Sequence, residues 1–318
     1  MNSSSKSPRP ILARLRFWLQ NRQTEKQLIE HVIETVEPKI RLASGYRKKL
    51  RRPIQICLEH CKAMVTIIPG PIHLRKSDYD ADPLIHAAFI GPVKLKDLIE
   101  NQDSVSIPPI PAEPDRYALL TMTHRETTIF GPKIQGDMIL NDAQMKSVTF
   151  TDHKIVGLST TLESSRNKLE QICFQMILEA VSRELATKRT NLRELREHLE
   201  RLHAMSHIFG GGNHAQNVFG HSSHEEFEKL KEVEQMLEES EDELVHARQG
   251  YETPEDWLAI LIDHLTIPEK IMHIQRISMR LDWRNVLTEA SEENANNITL
   301  AQCLLADKMK RDAVFICY

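Results

Sequence analysis

The stretch Phe174-Gln-Met-Ile-Leu178-Glu-Ala-Val181-Ser-Arg-Glu-Leu185 decides how the chain is read. Its apolar residues recur every three or four positions, and the pattern continues through Lys188, Leu192, Leu195, Leu199 and Leu202, broken only at Lys188. A repeat of seven with apolar first and fourth positions is the seam of a coiled coil, and the charged Glu/Arg pairs between seam positions keep the other faces wet. A second stripe follows at Leu230, Val233, Leu237, Ser240, Leu244, Ala247 and Tyr251. Between them lies Phe209-Gly-Gly-Gly-Asn-His-Ala-Gln-Asn-Val-Phe-Gly220, whose glycines and asparagines predict a loop. Residues 163–250 are therefore expected to form an antiparallel helical hairpin with a Gly/His-rich tip. At 1.5 Å per residue the first helix spans roughly 69 Å and the second roughly 38 Å, so the second covers only the far part of the first.

Working outward, Thr253-Pro-Glu-Asp256 is a helix start, followed by Trp257, Leu258, Leu261 and Leu265. Ile277, Met279, Leu281 and Trp283 then alternate with polar residues, the pattern of a half-buried strand. Ile298–Leu305 and Ala313–Tyr318 predict a closing hairpin turning at Lys308–Arg311. On the other side, Tyr117–Thr128 and Val148–Leu158 are rich in Thr and β-branched residues and bounded by Gly131-Pro132, Gly136 and Asn141-Asp142. Because a hairpin insertion returns the chain to its origin, residues 117–162 and the strands of 251–318 are expected to share one sheet.

Residues 101–116 hold four prolines and predict an extended linker. Residues 23–100 predict a compact helical unit. Thr24-Glu-Lys-Gln27 has the capping-box spacing before an apolar stripe that ends at Pro38, and Val93 to Ile99 supports a further helix. Pro53 is expected to open a helix carrying Ile54, Cys57, Leu58, Cys61, Val65 and Ile68 on one face. Residues 1–22 form a basic tail with a short amphipathic helix, where Ile11, Leu12, Leu15, Trp18 and Leu19 share a face and Arg14 and Arg16 flank it. The expected class is thus α+β, predominantly helical, with an N-terminal helical unit, a small antiparallel sheet and an inserted antiparallel coiled-coil hairpin.

Composition narrows the function classes. Aromatic residues make up 5% of the 318, too few for base-stacking nucleic-acid modules. Five cysteines at no repeated spacing give no disulfide framework, and no apolar stretch is long enough for a membrane span, so a cytoplasmic protein is expected. The net charge of −4 conceals an asymmetry: residues 1–52 hold thirteen Lys/Arg and four Glu. The run Arg47, Lys48, Lys49, Arg51, Arg52 is the candidate anion site, for nucleic acid or lipid phosphate. Arg14, Arg16 and Trp18 are the candidate membrane-surface residues, placing the chain at the inner face of the membrane. Six histidines fall within residues 198–224. His203 and His207 share a helical face, and His214 and His221 lie within reach of it, the makings of a metal site on the hairpin tip. Cys57 and Cys61 sit instead on an apolar stripe, where cysteine packs as a small hydrophobe. No phosphate loop, nucleophile elbow or zinc-protease helix is present, and no cofactor is expected. The leading expectation is a non-catalytic interaction or scaffold protein that meets a protein partner through residues 183–247. The alternatives are an anionic membrane or nucleic acid bound through residues 9–52, and a metal-dependent activity at the His-rich tip.

Overall fold

The structure, a computed structural model, describes residues 24–74, 82–89, 115–135, 138–216, 224–288, 295–305 and 309–318. The expected amphipathic helix with Arg14, Arg16 and Trp18, the helix at 93–99, most of the Pro-rich linker and His221 lie outside these residues. Mixed α+β is the observed class. The helices are α1 (24–36), α2 (Tyr46–Ile67), α3 (Pro83–Ala88), α4 (Leu162–Gln216), α5 (His224–Arg248) and α6 (Pro254–Thr266). The strands are β1 (Ile72–His73), β2 (Tyr117–Gln135), β3 (Met138–Ser159), β4 (Met272–Leu281), β5 (Asn296–Leu305) and β6 (Met309–Cys317). Two compact units result: Met1–Ile54 with Leu178–Thr266, and Gln55–Ile177 with Ile267–Tyr318.

The first unit is helical. Ile29, Val32, Ile33 and Val36 of α1 are buried, as are Val181 and Leu185 of α4 and Trp257, Leu258, Leu261 and Leu265 of α6. Pro38 ends α1, and a 3-10 turn Pro38–Leu42 follows, capped by the Glu37 carboxylate, which accepts from Lys39 N at 3.1 Å. Glu37 is buried yet ionic, and Arg189 of α4 meets it. The same guanidinium lies 4.8 Å from the Trp257 ring centroid, a cation–π contact that ties α4 to α6. The start of α6 is a reciprocal cap: Thr253 Oγ1 accepts from Asp256 N (3.2 Å), and Asp256 Oδ2 accepts from Thr253 N (2.9 Å).

The second unit is built on a sheet of order β3-β2-β6-β5-β4, antiparallel throughout, with β1 added in parallel beside the end of β6. Asp312–Cys317 of β6 pair with Tyr117–Met122 of β2, so the last strand is the middle one. Segment 285–288 then joins the two outer strands. Val148 N donates to Asn285 O (2.8 Å), Leu287 N to Lys146 O (2.8 Å) and Thr288 N to Arg280 O (3.0 Å). Segment 285–288 thereby bridges the two edge strands at Lys146–Val148 and Arg280–Leu281. Strand alternation puts Leu120, Met122, Phe150, Leu300, Val314 and Ile316 on one inner face, where Leu84, Ile85 and Phe89 at α3 pack against them.

Several expectations are corrected. Pro53 does not open α2 but sits inside it, and Arg47–Arg52 form its first turns. Salt bridges from Arg47 to Glu30 and from Arg51 to Glu25 of α1 hold that segment helical, offsetting the one backbone hydrogen bond a proline removes. The Gly210–Gly212 run does not end α4, which continues to Gln216. Each glycine costs about 1 kcal/mol against alanine, a penalty that a long helix already nucleated upstream absorbs. Gly131-Pro132 lies within β2, where a register shift between Gly131 and Lys133 accommodates the missing N–H, and Asn141-Asp142 lies within β3. Arg116 is no linker residue: its backbone exchanges hydrogen bonds with Tyr318 at 2.9 and 3.0 Å. Met309–Arg311 are strand residues paired with Cys303–Leu305 rather than a turn. Finally, β4 stops at Leu281, and Trp283 is 73% exposed instead of half-buried.

Candidate functional site

The residues singled out from sequence fall into three places. In the basic run, Arg47 donates to Glu30 (3.0 Å) and Arg51 meets Glu25 (2.5 Å). Nearby Arg41 reaches Glu30 (3.0 Å) and Glu34 (2.7 Å). Burial pushes the Glu30 carboxyl up, but hydrogen bonds from Tyr46, Arg47 and Arg41 outweigh it and hold the group below its ordinary value. Much of the positive charge is thus spoken for by α1. Lys48, Lys49 and Arg52 are exposed, and among the described residues no carboxylate lies within salt-bridge distance of them.

On the long helices, His203 and His207 are both exposed, and His203 Nε2 lies 3.6 Å from Glu241 of α5. His214 falls within α4 and its side chain is not described. Among the described residues no group of three or more His, Cys, Asp or Glu is placed to hold a metal. Leu192, Leu199 and Leu202 of α4 and Val233 and Ser240 of α5 are buried, whereas Met205, Ile208, Met236 and Val245 are exposed. Arg196 of α4 reaches Glu252 at 3.0 Å, which Arg248 also meets at 2.9 Å.

The structure adds a polar chain that the sequence did not disclose. Gln275 of β4 donates to Gln302 Oε1 of β5 (3.2 Å), Gln302 donates to Asp312 Oδ1 of β6 (3.4 Å), and His124 of β2 donates through Nδ1 to Asp312 Oδ2. Asp312 is fully buried and Gln302 nearly so. The hydrogen bond to Asp312 raises the His124 imidazole above its ordinary value, against the opposing effect of burial. Phe150 stands edge-on to the His124 ring at 6.4 Å. An aspartate that fixes a histidine tautomer is the orienting half of an acid–base dyad. The other half is missing: among the described residues no hydroxyl or thiol lies within hydrogen-bond distance of His124. The only cue in the sequence is an acidic residue opening the apolar run Ala313–Ile316, and a turn at Lys308–Arg311 disguises it.

The thiols offer no nucleophile either. Cys57, Cys61 and Cys173 are buried, and burial pushes Cys173 and Cys303 up to about 12. A hydrogen bond with Cys57 and burial together raise Cys61 further. Burial and the Cys57 contact thus keep Cys61, Cys173 and Cys303 protonated near neutral pH. Among the described residues no helix is long and apolar enough to cross a membrane. The chain matches no family model, no curated protein and no solved structure.

Proposed function

We propose that this chain is a non-catalytic interaction protein whose α4 and α5 form an antiparallel coiled-coil hairpin, with the far end of that hairpin meeting a protein partner. The observation that carries this reading is the exposure of large apolar side chains at one level of the two helices. His203 lies beside Glu241, so an antiparallel register sets Ile208 level with Met236 and places Met205 about one turn away. Ile208 is 71% exposed, Met236 47% and Met205 43%. The seam itself is buried at Leu192, Leu199, Leu202 and Val233, so these three are surplus to the packing of the pair. Methionines and an isoleucine on a rigid helical support make an adaptable apolar anchor for a partner, rimmed by charge.

Five cysteines outside any disulfide are compatible with the cytoplasm. The anionic-surface reading through residues 9–52 is weaker, because Arg41, Arg47 and Arg51 are occupied by α1 carboxylates. The test is photo-crosslinking in cells from a reactive residue placed at 208 or 236, with position 42 as the exposed control. A discrete adduct from 208 and 236 that is absent from 42, and that disappears when Met205 is changed to Asp, supports the reading. Equal crosslinking from all three positions, or none, sinks it.

A further inference from the structure

The turn that follows β4 is held by a dense set of local hydrogen bonds. Asp282 organises it: its N–H donates to Val286 O (2.9 Å) and its carbonyl accepts from Asn285 N (3.0 Å). Its carboxylate Oδ1 accepts from Arg284 N and Val286 N, both at 2.8 Å. Asn285 sits in the left-handed region at φ 59, a conformation asparagine tolerates, and its amide nitrogen donates to Ala87 O (3.2 Å). The turn is therefore rigid, and its exposed residue is held out by the backbone. That residue is Trp283, 73% exposed. Beside it opens a cavity of about 280 Å³ whose lining includes His86, Asp282, Trp283, Asn285 and Asn296, together with apolar Leu281 and Ile298.

From this geometry we propose that the cavity binds a neutral sugar ring, with Trp283 as the stacking platform. Three features select that chemistry. A pyranose has an apolar C–H face that suits an indole and a rim of hydroxyls that need both donors and acceptors. The lining supplies them. The Asn285 amide oxygen is left as an acceptor because its nitrogen is engaged at Ala87, and Asp282 Oδ2 has accepting capacity beyond the bond from Arg284 Nε at 3.0 Å. Asn296 brings a further amide. The described lining contains neither Lys nor Arg, and Arg284 beside it is already engaged, paired with Asp282 at 3.0 Å and standing over the Trp283 ring at 5.8 Å, so a nucleotide or sugar phosphate is disfavoured. The cavity is at the small end of ligand sites, the size for one ring and not for a long chain. Because the turn is already ordered, little conformational entropy is lost on binding.

The site is in the sheet unit and does not depend on the partner reading. Saturation-transfer NMR on the full chain, with glucose, galactose, mannose and N-acetylglucosamine each at about 10 mM, would detect affinities down to a Kd of ~1 mM and weaker. AMP serves as the nucleobase comparison. Transfer to at least one sugar is expected, reduced at least tenfold in Trp283→Ala and retained within a few-fold in Trp283→Phe, which keeps a stacking ring. Trp283 is exposed, so both variants fold, as circular dichroism would verify. No transfer to any sugar, transfer unchanged in Trp283→Ala, or Trp283-dependent transfer to AMP alone overturns the proposal.

Discussion

The inner face of the sheet and the far half of α4 and α5 use apolar residues in opposite ways. In the sheet, Leu120, Met122, Leu300 and Val314 lose all contact with solvent, and the polar groups among them are bonded to one another. On the helices, Met205, Ile208, Met236 and Val245 stay exposed while Leu192, Leu199, Leu202 and Val233 are buried. Histidines divide the same way: His124 is clamped to a buried carboxylate, whereas His203 faces Glu241 across 3.6 Å in solvent. The difference teaches where to look for stability and where for recognition, since residues that fold does not need are the ones a partner can use.

Substitutions would test that division directly. Leu300→Ala opens a cavity in the inner face and should cost roughly 2–5 kcal/mol in a denaturant melt, while Met236→Ala should change stability by less than about 0.5 kcal/mol. Similar losses from both would erase the contrast. Next in size, His124→Ala leaves the buried Asp312 carboxylate short of its charged donor and should cost roughly 2–3 kcal/mol, against almost nothing for His203→Ala. Equal effects would mean the polar chain contributes no more than a surface contact.

The pH dependence sharpens the histidine contrast further. His124 is raised in the folded state, so its pairing contributes fully below the ordinary histidine value near ~6.5 and is lost as pH climbs through the raised one. The stability advantage of the native chain over His124→Gln should therefore shrink from pH 6 towards pH 9, followed by thermal melts. An advantage constant across that range contradicts the assignment. The smallest effect is expected at the basic run. Glu30→Ala removes the acceptor shared by Arg41, Tyr46 and Arg47, yet both guanidiniums are exposed, so only a small loss is expected, diminishing in high salt.

How far the sequence could be read depended on whether a residue's neighbours were local. The period of α4 and α5, the cap of α6 and the alternation of β4 are carried by contacts within a few residues, and all are legible in Leu192–Leu202, Thr253–Asp256 and Ile277–Leu281. Glycine and proline misled where tertiary context overrode propensity, at Pro53, Gly131-Pro132 and Gly210–Gly212. The polar chain was invisible because His124 and Asp312 are brought together only by the register of β2 on β6. Trp283 was misplaced because two more residues of alternation look like strand, whereas the Asp282 carboxylate captures the backbone N–H groups ahead of it and turns the chain.

The position of β6 at the centre of the sheet has a consequence for synthesis. Strand β2 leaves the ribosome long before its partner: about 190 residues separate Met122 from Asp312, roughly 10–40 s of translation at usual elongation rates. Throughout that interval the β2–β3 ribbon must wait with Leu120 and Met122 lacking their cover, while the helices of the intervening segment are free to form. Newborn chains should therefore lean on a chaperone far more than finished ones do.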